Sequence, residues 1–153
     1  MAPTAFDTFD QYAFGHYPGQ VEDMGLQEIV TRLAIGSDIG YGLAVSDIDN
    51  RSASLVSDDY TNPTGITVRE SVRDNNSDDT PVYPEDHEMS VMRVGRIWVT
   101  VADGATAGDP VYVDPDDGSI VSTAYGNTQF PNATFKTTAA AGELALVQLN
   151  GND

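Results

Sequence analysis

The sequence contains no cysteine. That absence excludes a disulfide framework, a thiolate metal site and a cysteine nucleophile together. No stretch approaches the roughly 18 consecutive apolar residues of a membrane-spanning helix. The opening MAPTAFDTFDQYAFGHY lacks the basic n-region and apolar h-region of a signal peptide. The expectation is a soluble, non-secreted chain with no membrane partner. Positive charge is also scarce: Lys136 is the single lysine, and 24 acids face 7 Lys and Arg, for a net charge of -17. Such a field is repelled by phosphate backbones, so nucleic acid is not an expected partner. A well-solvated surface accounts for the acidity. Adaptation to a salty medium is the sharper alternative, because counterions screen self-repulsion over a Debye length of about 8 Å or less. That alternative predicts a melting temperature that rises with added salt, measurable by thermal melts in increasing NaCl.

Catalytic signatures are missing as well. There is no phosphate-cradling G-x-x-x-x-G-K-[ST] loop, no G-x-G-x-x-G fingerprint and no G-x-S-x-G nucleophile elbow. His16 and His87 are the only histidines. Both sit in loop-like composition, and nothing in their spacing builds a facial metal triad. The acidic turns Asp47-Ile48-Asp49-Asn50 and Asp114-Pro115-Asp116-Asp117-Gly118 look superficially like calcium loops. In the second, glycine falls at position 5 and Ala124 at position 12, where an EF-hand needs glycine at 6 and glutamate at 12. Ordinary β-turn chemistry explains both turns. Glu85 and Asp86 lie in a solvated loop, where a raised pKa for general acid work is hard to sustain. No enzyme activity, cofactor or metal is expected.

What is present is a succession of short apolar segments punctuated by Gly, Asp and Pro. Strands are expected at 28–34, 41–45, 65–72, 90–94, 96–101, 110–113, 119–123, 133–136 and 143–149. Residues 46–64 read as a polar, turn-rich connection, and 74–88 as an exposed, mobile acidic loop. Alternation puts Ile97, Val99 and Val101 on one face of a strand and Arg96, Trp98 and Thr100 on the other. Asp117-Gly118 signals a hairpin. The segment ELALVQL near the end is apolar on both faces, which suits a central strand. The fold class is therefore all-β, a barrel or sandwich of short antiparallel strands. Its length suits one domain at residues 20–153, preceded by an aromatic arm at 1–19.

Two clusters are candidate interfaces. The arm region carries Phe6, Phe9, Tyr12, Phe14 and Tyr17, and aromatic residues bury large area with few rotors. Such a segment either covers the edge of its own core or docks on a neighbouring subunit. Arg93 and Arg96 flank Gly95 beside Trp98, a basic and aromatic concentration in an acidic chain. They either pair with acids across the sheet, worth at most about 1 kcal/mol when exposed, or anchor a partner surface.

The stretch GRIWVTVADGATAGDPVYV, followed by PNATFKTTAAAGELALVQLN, resembles the C-terminal half of tailed-bacteriophage capsid cement (decoration) proteins. In that family an RRGRIWV strand leads to an AGDPVYV turn and strand, and the chain closes on a segment like ARFxSSAAAGGLAxVEL. Upstream, Pro18-Gly-Gln-Val-Glu-Asp resembles the family's PGQIAD element, and Gly65-Ile-Thr-Val-Arg69 its GIALR strand. The resemblance covers most of residues 18–150. It implies a jellyroll-like β-barrel that forms a homo-oligomer, a trimer favoured over a dimer. It further implies a protein made in the host cytoplasm and carried on the outer surface of the virion, where it binds the major capsid protein and stabilises the head by bridging its subunits. The loop 74–88 is more acidic than the family pattern, and the arm before Tyr17 carries no motif of the family. A glycan-binding β-sandwich on the virion surface, stacking sugars on Trp98 and tyrosines, is the alternative.

Overall fold

The computed structural model describes residues 17–22, 25–70 and 81–150. Among these there is no helix. Eleven strands follow one another: β1 Glu28–Ala34, β2 Ile39–Gly40, β3 Ala44–Asp47, β4 Ser52–Leu55, β5 Gly65–Thr67, β6 Val82–Tyr83, β7 Glu88–Val101, β8 Pro110–Val113, β9 Ile120–Val121, β10 Thr128–Phe135 and β11 Glu143–Asn150. The all-β expectation holds. The hairpin at Asp117-Gly118 joins β8 to β9, which pair antiparallel, and β11 is central, between β7 and β10.

Pairing closes the sheet twice. The order β1-β4-β3-β5-β7 returns to its start through a β1–β7 pairing, and β7-β11-β10-β8-β9 returns through β7–β9. Two small rings thus share one long strand. Closure removes edges that would otherwise present unpaired backbone groups. It also corrects the expectation of a wholly antiparallel sheet, because β1–β4 and β7–β9 are parallel. A ring can close only with the strand directions that its connections leave available.

Each ring has its own apolar filling. Ala34, Ile39, Val45, Ala53, Tyr83, Met89 and Val91 form one cluster. The larger one holds Ile97, Val99, Val101, Val111, Val113, Ile120, Phe130, Phe135, Val147 and Leu149, with Ala44, Ile66 and Met92 reaching it from the first ring's strands.

The shared strand is the main departure from the sequence reading, which broke it at Gly95 into two. Ile29 lies opposite Met92 and Glu28 opposite Val94, so Arg93 is an extra residue with no opposite number on β1. This is a β-bulge. Arg93 and Val94 both face outward, and alternation resumes with Gly95 buried and Ile97, Val99 and Val101 inside. At the same point β7 passes from β1 to β11, since Val94 opposes both Glu28 and Asn150. Gly95 has φ +132°, a conformation that a residue with a Cβ rarely adopts. The glycine bends a continuing strand where the sequence reading ended one.

Two further elements lay in segments read as loop. β4, in 46–64, is composed SASL and is buried at Ser52, Ala53 and Ser54. Its hydroxyls bond locally, Ser52 Oγ to Asp49 Oδ1 at 3.0 Å and Ser54 Oγ to the Leu55 carbonyl at 3.1 Å. Satisfied locally, they can enter the interior at little cost. β6, in the loop expected at 74–88, pairs with β2, and both Val82 and Tyr83 are buried. The expectation of an exposed, mobile loop therefore fails at these two positions. The strand expected at 41–45 is corrected as well: Tyr41 and Gly42 form a turn between β2 and β3, and only Ala44 and Val45 of that segment are in a strand.

Candidate functional site

The outer face of β7 and β11 brings together the residues that the sequence singled out on the strand. Register sets Thr100 opposite Leu144, Trp98 opposite Leu146 and Arg96 opposite Gln148. On the other flank of β7, residues 19–22 run as a short added strand. The Gly19 N–H donates to the Trp98 carbonyl (2.7 Å), the Trp98 N–H to the Gln20 carbonyl (2.9 Å) and the Glu22 N–H to the Arg96 carbonyl (3.0 Å). Tyr17 and Gln20 bracket a turn in which Pro18 presets φ and Gly19 supplies φ +82°. Residues 18–22 of the PGQVED element are thus a turn and strand that braces β7.

The three candidates on β7 separate. Arg93 points to Glu28 at 3.8 Å, so it serves the bulge locally. Trp98 is half-buried, and its indole N–H donates to Glu22 Oε1 at 2.8 Å. Held in this way, it is a fixed part of the face. Arg96 is exposed and forms no ion pair among the described residues. Beside it a recess of about 230 Å³ is lined by Leu26, Val94, Gly95, Gln148 and Asn150 among others. Leu26 is 88 % exposed. Nothing in the strand pattern marked it, because it sits in the turn before β1.

On the opposite side of the turn, Tyr17 is stacked by Arg69, whose guanidinium carbon lies 4.0 Å from the ring centroid. Phe6, Phe9, Tyr12, Phe14 and His16 lie outside the described residues. His87 is exposed in a turn, with Nδ1 3.1 Å from the Glu85 carbonyl.

The remaining polar chemistry is structural. Arg32 and Asp47, which the sequence reading did not pair, form a two-pronged contact at 3.1 and 3.3 Å. Asp49 accepts from the N–H groups of Arg51 and Ser52 at 2.7 and 2.8 Å. Asp114 and Asp117 cap their own turn in the same way. These are the turn roles expected of both acidic clusters. Asp103 pins the exit of β9, accepting from the N–H and hydroxyl of Ser122 (2.8 and 3.2 Å) and of Thr123 (3.0 and 2.5 Å). Desolvation raises its pKa, but the Thr123 and Ser122 donors outweigh it and leave the carboxyl below its ordinary 3.8. Asp49 is lowered too, first by the Arg51 N–H and then by Ser52. Folded-state values below the unfolded ones mean stability that is complete above pH 3.8 and is lost as pH falls through the depressed values. Asp103→Asn should therefore lower the neutral-pH stability by under about 1 kcal/mol, allowing for solvent screening. Denaturant titrations should show the gap to the parent closing below about pH 4.

With this geometry in view, comparison with known proteins decides the family. The model of the family described as structural cement protein (E217 gp24/Pam3 gp6) matches residues 8–150. The chain belongs to this phage cement family. Its members are structural proteins of the phage capsid, and this chain is not an enzyme. Among solved structures, a chain from the capsid of Myoviridae phage XM1 is similar over 88 % of this chain and 90 % of its own, with 20 % identity and a TM-score of 0.72. That likeness supports the fold. The N base of head fibre gp8.5 from bacteriophage phi29 is more distant, at 13 % identity and a TM-score of 0.45, covering 84 % of this chain and 99 % of its own. No curated protein matches the sequence.

Proposed function

We propose that the protein binds the outer surface of the assembled phage head and cements it by bridging major capsid protein subunits, using the β7–β11 face around Arg96, Leu26 and Trp98. The observation that carries this reading is Arg96, an exposed cation without an ion pair among the described residues of a chain of net charge -17. A lone cation beside an exposed leucine, on strands tied down on both sides, suits a docking anchor. The surrounding acidity suits an exterior position better than contact with packaged DNA. Each contact can be weak if a homo-oligomer, for which we favour a trimer, engages several capsid subunits at once. Binding only the intact lattice then opposes its disassembly by mass action.

Replacing Arg96 with Ser should weaken co-sedimentation with expanded shells by roughly five- to thirty-fold, the loss of about 1–2 kcal/mol per anchor. The melting temperature of the isolated protein should stay unchanged. Arg93→Ser should do the reverse, touching stability and sparing binding. Shells lacking the protein should survive heating less well; equal survival would reject the cementing role.

A further inference from the structure

A second recess, larger than the one beside Arg96, is absorbed neither by the docking face nor by the core. It is a groove of about 570 Å³ lined by Tyr17, Pro18, Tyr41, Leu43, Arg69 and Pro81, with Gly40 in its wall. That volume is of the size of ligand pockets. Its walls are aromatic rings, proline rings and one aliphatic side chain. Among the described lining residues the single charged group is Arg69, already lying over the Tyr17 ring.

We propose that this groove is the binding site for the N-terminal segment of the same chain, residues 1–16, and that it receives the aromatic rings nearest to it, Phe14 and Tyr12. Two observations carry the assignment. The segment joins the described structure at Tyr17, which is itself a groove wall. Phe14 lies three residues upstream of it, a reach of about 10 Å, and Tyr12 five residues upstream, about 17 Å. At the junction the Tyr17 N–H is held by the Gln20 side chain at 3.0 Å, which fixes the groove wall from which the segment departs. Finally, the chemistry matches: the segment offers four aromatic side chains together with Asp7 and Asp10, and the groove offers apolar walls and the Arg69 cation. A tethered ring acts at an effective concentration in the millimolar range, so modest contacts suffice to hold it.

The natural absence of cysteine gives a clean test on the full chain. Ala13→Cys keeps both rings, and Gly40→Cys adds a thiol at the groove wall, where a Cβ meets only Leu43 Cδ1 at 3.5 Å and φ is not positive. Under mild oxidation this pair should close an intramolecular disulfide, at least about tenfold faster than Ala13→Cys with Thr100→Cys on the outer face of β7. Equal rates, persistent free thiols, or a disulfide between two chains would overturn the assignment, the last in favour of a second copy's segment. As an independent readout, Gly40→Trp fills the groove and should speed chymotrypsin cleavage after Phe14 and Tyr12 by about tenfold, with the fold checked by circular dichroism. Unchanged cleavage in a folded variant would also reject it.

Discussion

Gly95→Ala should cost roughly 2–6 kcal/mol and leave a much less stable protein, a large effect for adding one methyl group. Two penalties combine there. A residue with a Cβ held at φ +132° stores about 1–3 kcal/mol of backbone strain. The new Cβ would also sit 3.1 Å from Gln27 Cβ and from Met92 Sδ and Cε, and overpacking of this kind costs about 1–3 kcal/mol. Gly108→Ala is the matched control. Its φ is +95°, but nothing lies within 4 Å of the added atom, so only the strain applies. Urea melts of the two variants separate the penalties. If they are equally stable, crowding at the junction of the two rings is negligible and the bulge is not the constraint described above.

Tyr83→Ala should be comparably damaging, at about 3–5 kcal/mol. Tyr83 is fully buried, its ring packs edge-on against Tyr41 with centroids 5.2 Å apart, and its hydroxyl donates to the Val68 carbonyl. Burial, followed by the nearby Glu70 charge, pushes its phenol well above the ordinary value, so it remains a neutral donor over the whole accessible pH range. Tyr83→Phe should recover most of the loss and leave a deficit of about 1–2 kcal/mol for the unpartnered carbonyl. A mobile acidic loop around Tyr83, as composition alone suggests, would give near-zero effects in both variants. Chemical denaturation therefore distinguishes the two pictures directly.

Local pattern found most strands because alternation is a property of neighbouring residues. Pro110–Val113 and Glu143–Asn150 have one apolar face, or two, whatever else surrounds them, and β1 was bounded correctly by its β-branched run between glycines. β4 and β6 escaped for the opposite reason. SASL carries little apolar signal, and its burial depends on hydroxyls finding partners in a neighbouring turn. Val82-Tyr83 is only two residues long and follows a polar stretch, so only its pairing with Ile39-Gly40 makes it a strand.

The candidate site shows the same division. Arg93, Arg96 and Trp98 were conspicuous as types, yet three residues that look equivalent in the chain have different duties in space. The bulge turns Arg93 towards Glu28, the braced strand at 19–22 fixes Trp98 through Glu22, and Arg96 is left exposed. Leu26 was invisible because a lone leucine in a turn has no period.

By itself the sequence determined the all-β class, the absence of thiol chemistry, the acidic field and the family, through motifs whose order survives along most of the chain. Composition and short-range period carry those facts without reference to distant residues. Only the tertiary structure decided that the strands close into two rings around a shared β7, that Gly95 bends this strand instead of ending it, and which of its side chains remain exposed. Those outcomes depend on which strands meet. Such meetings are long-range pairings, and no local stretch of sequence encodes them.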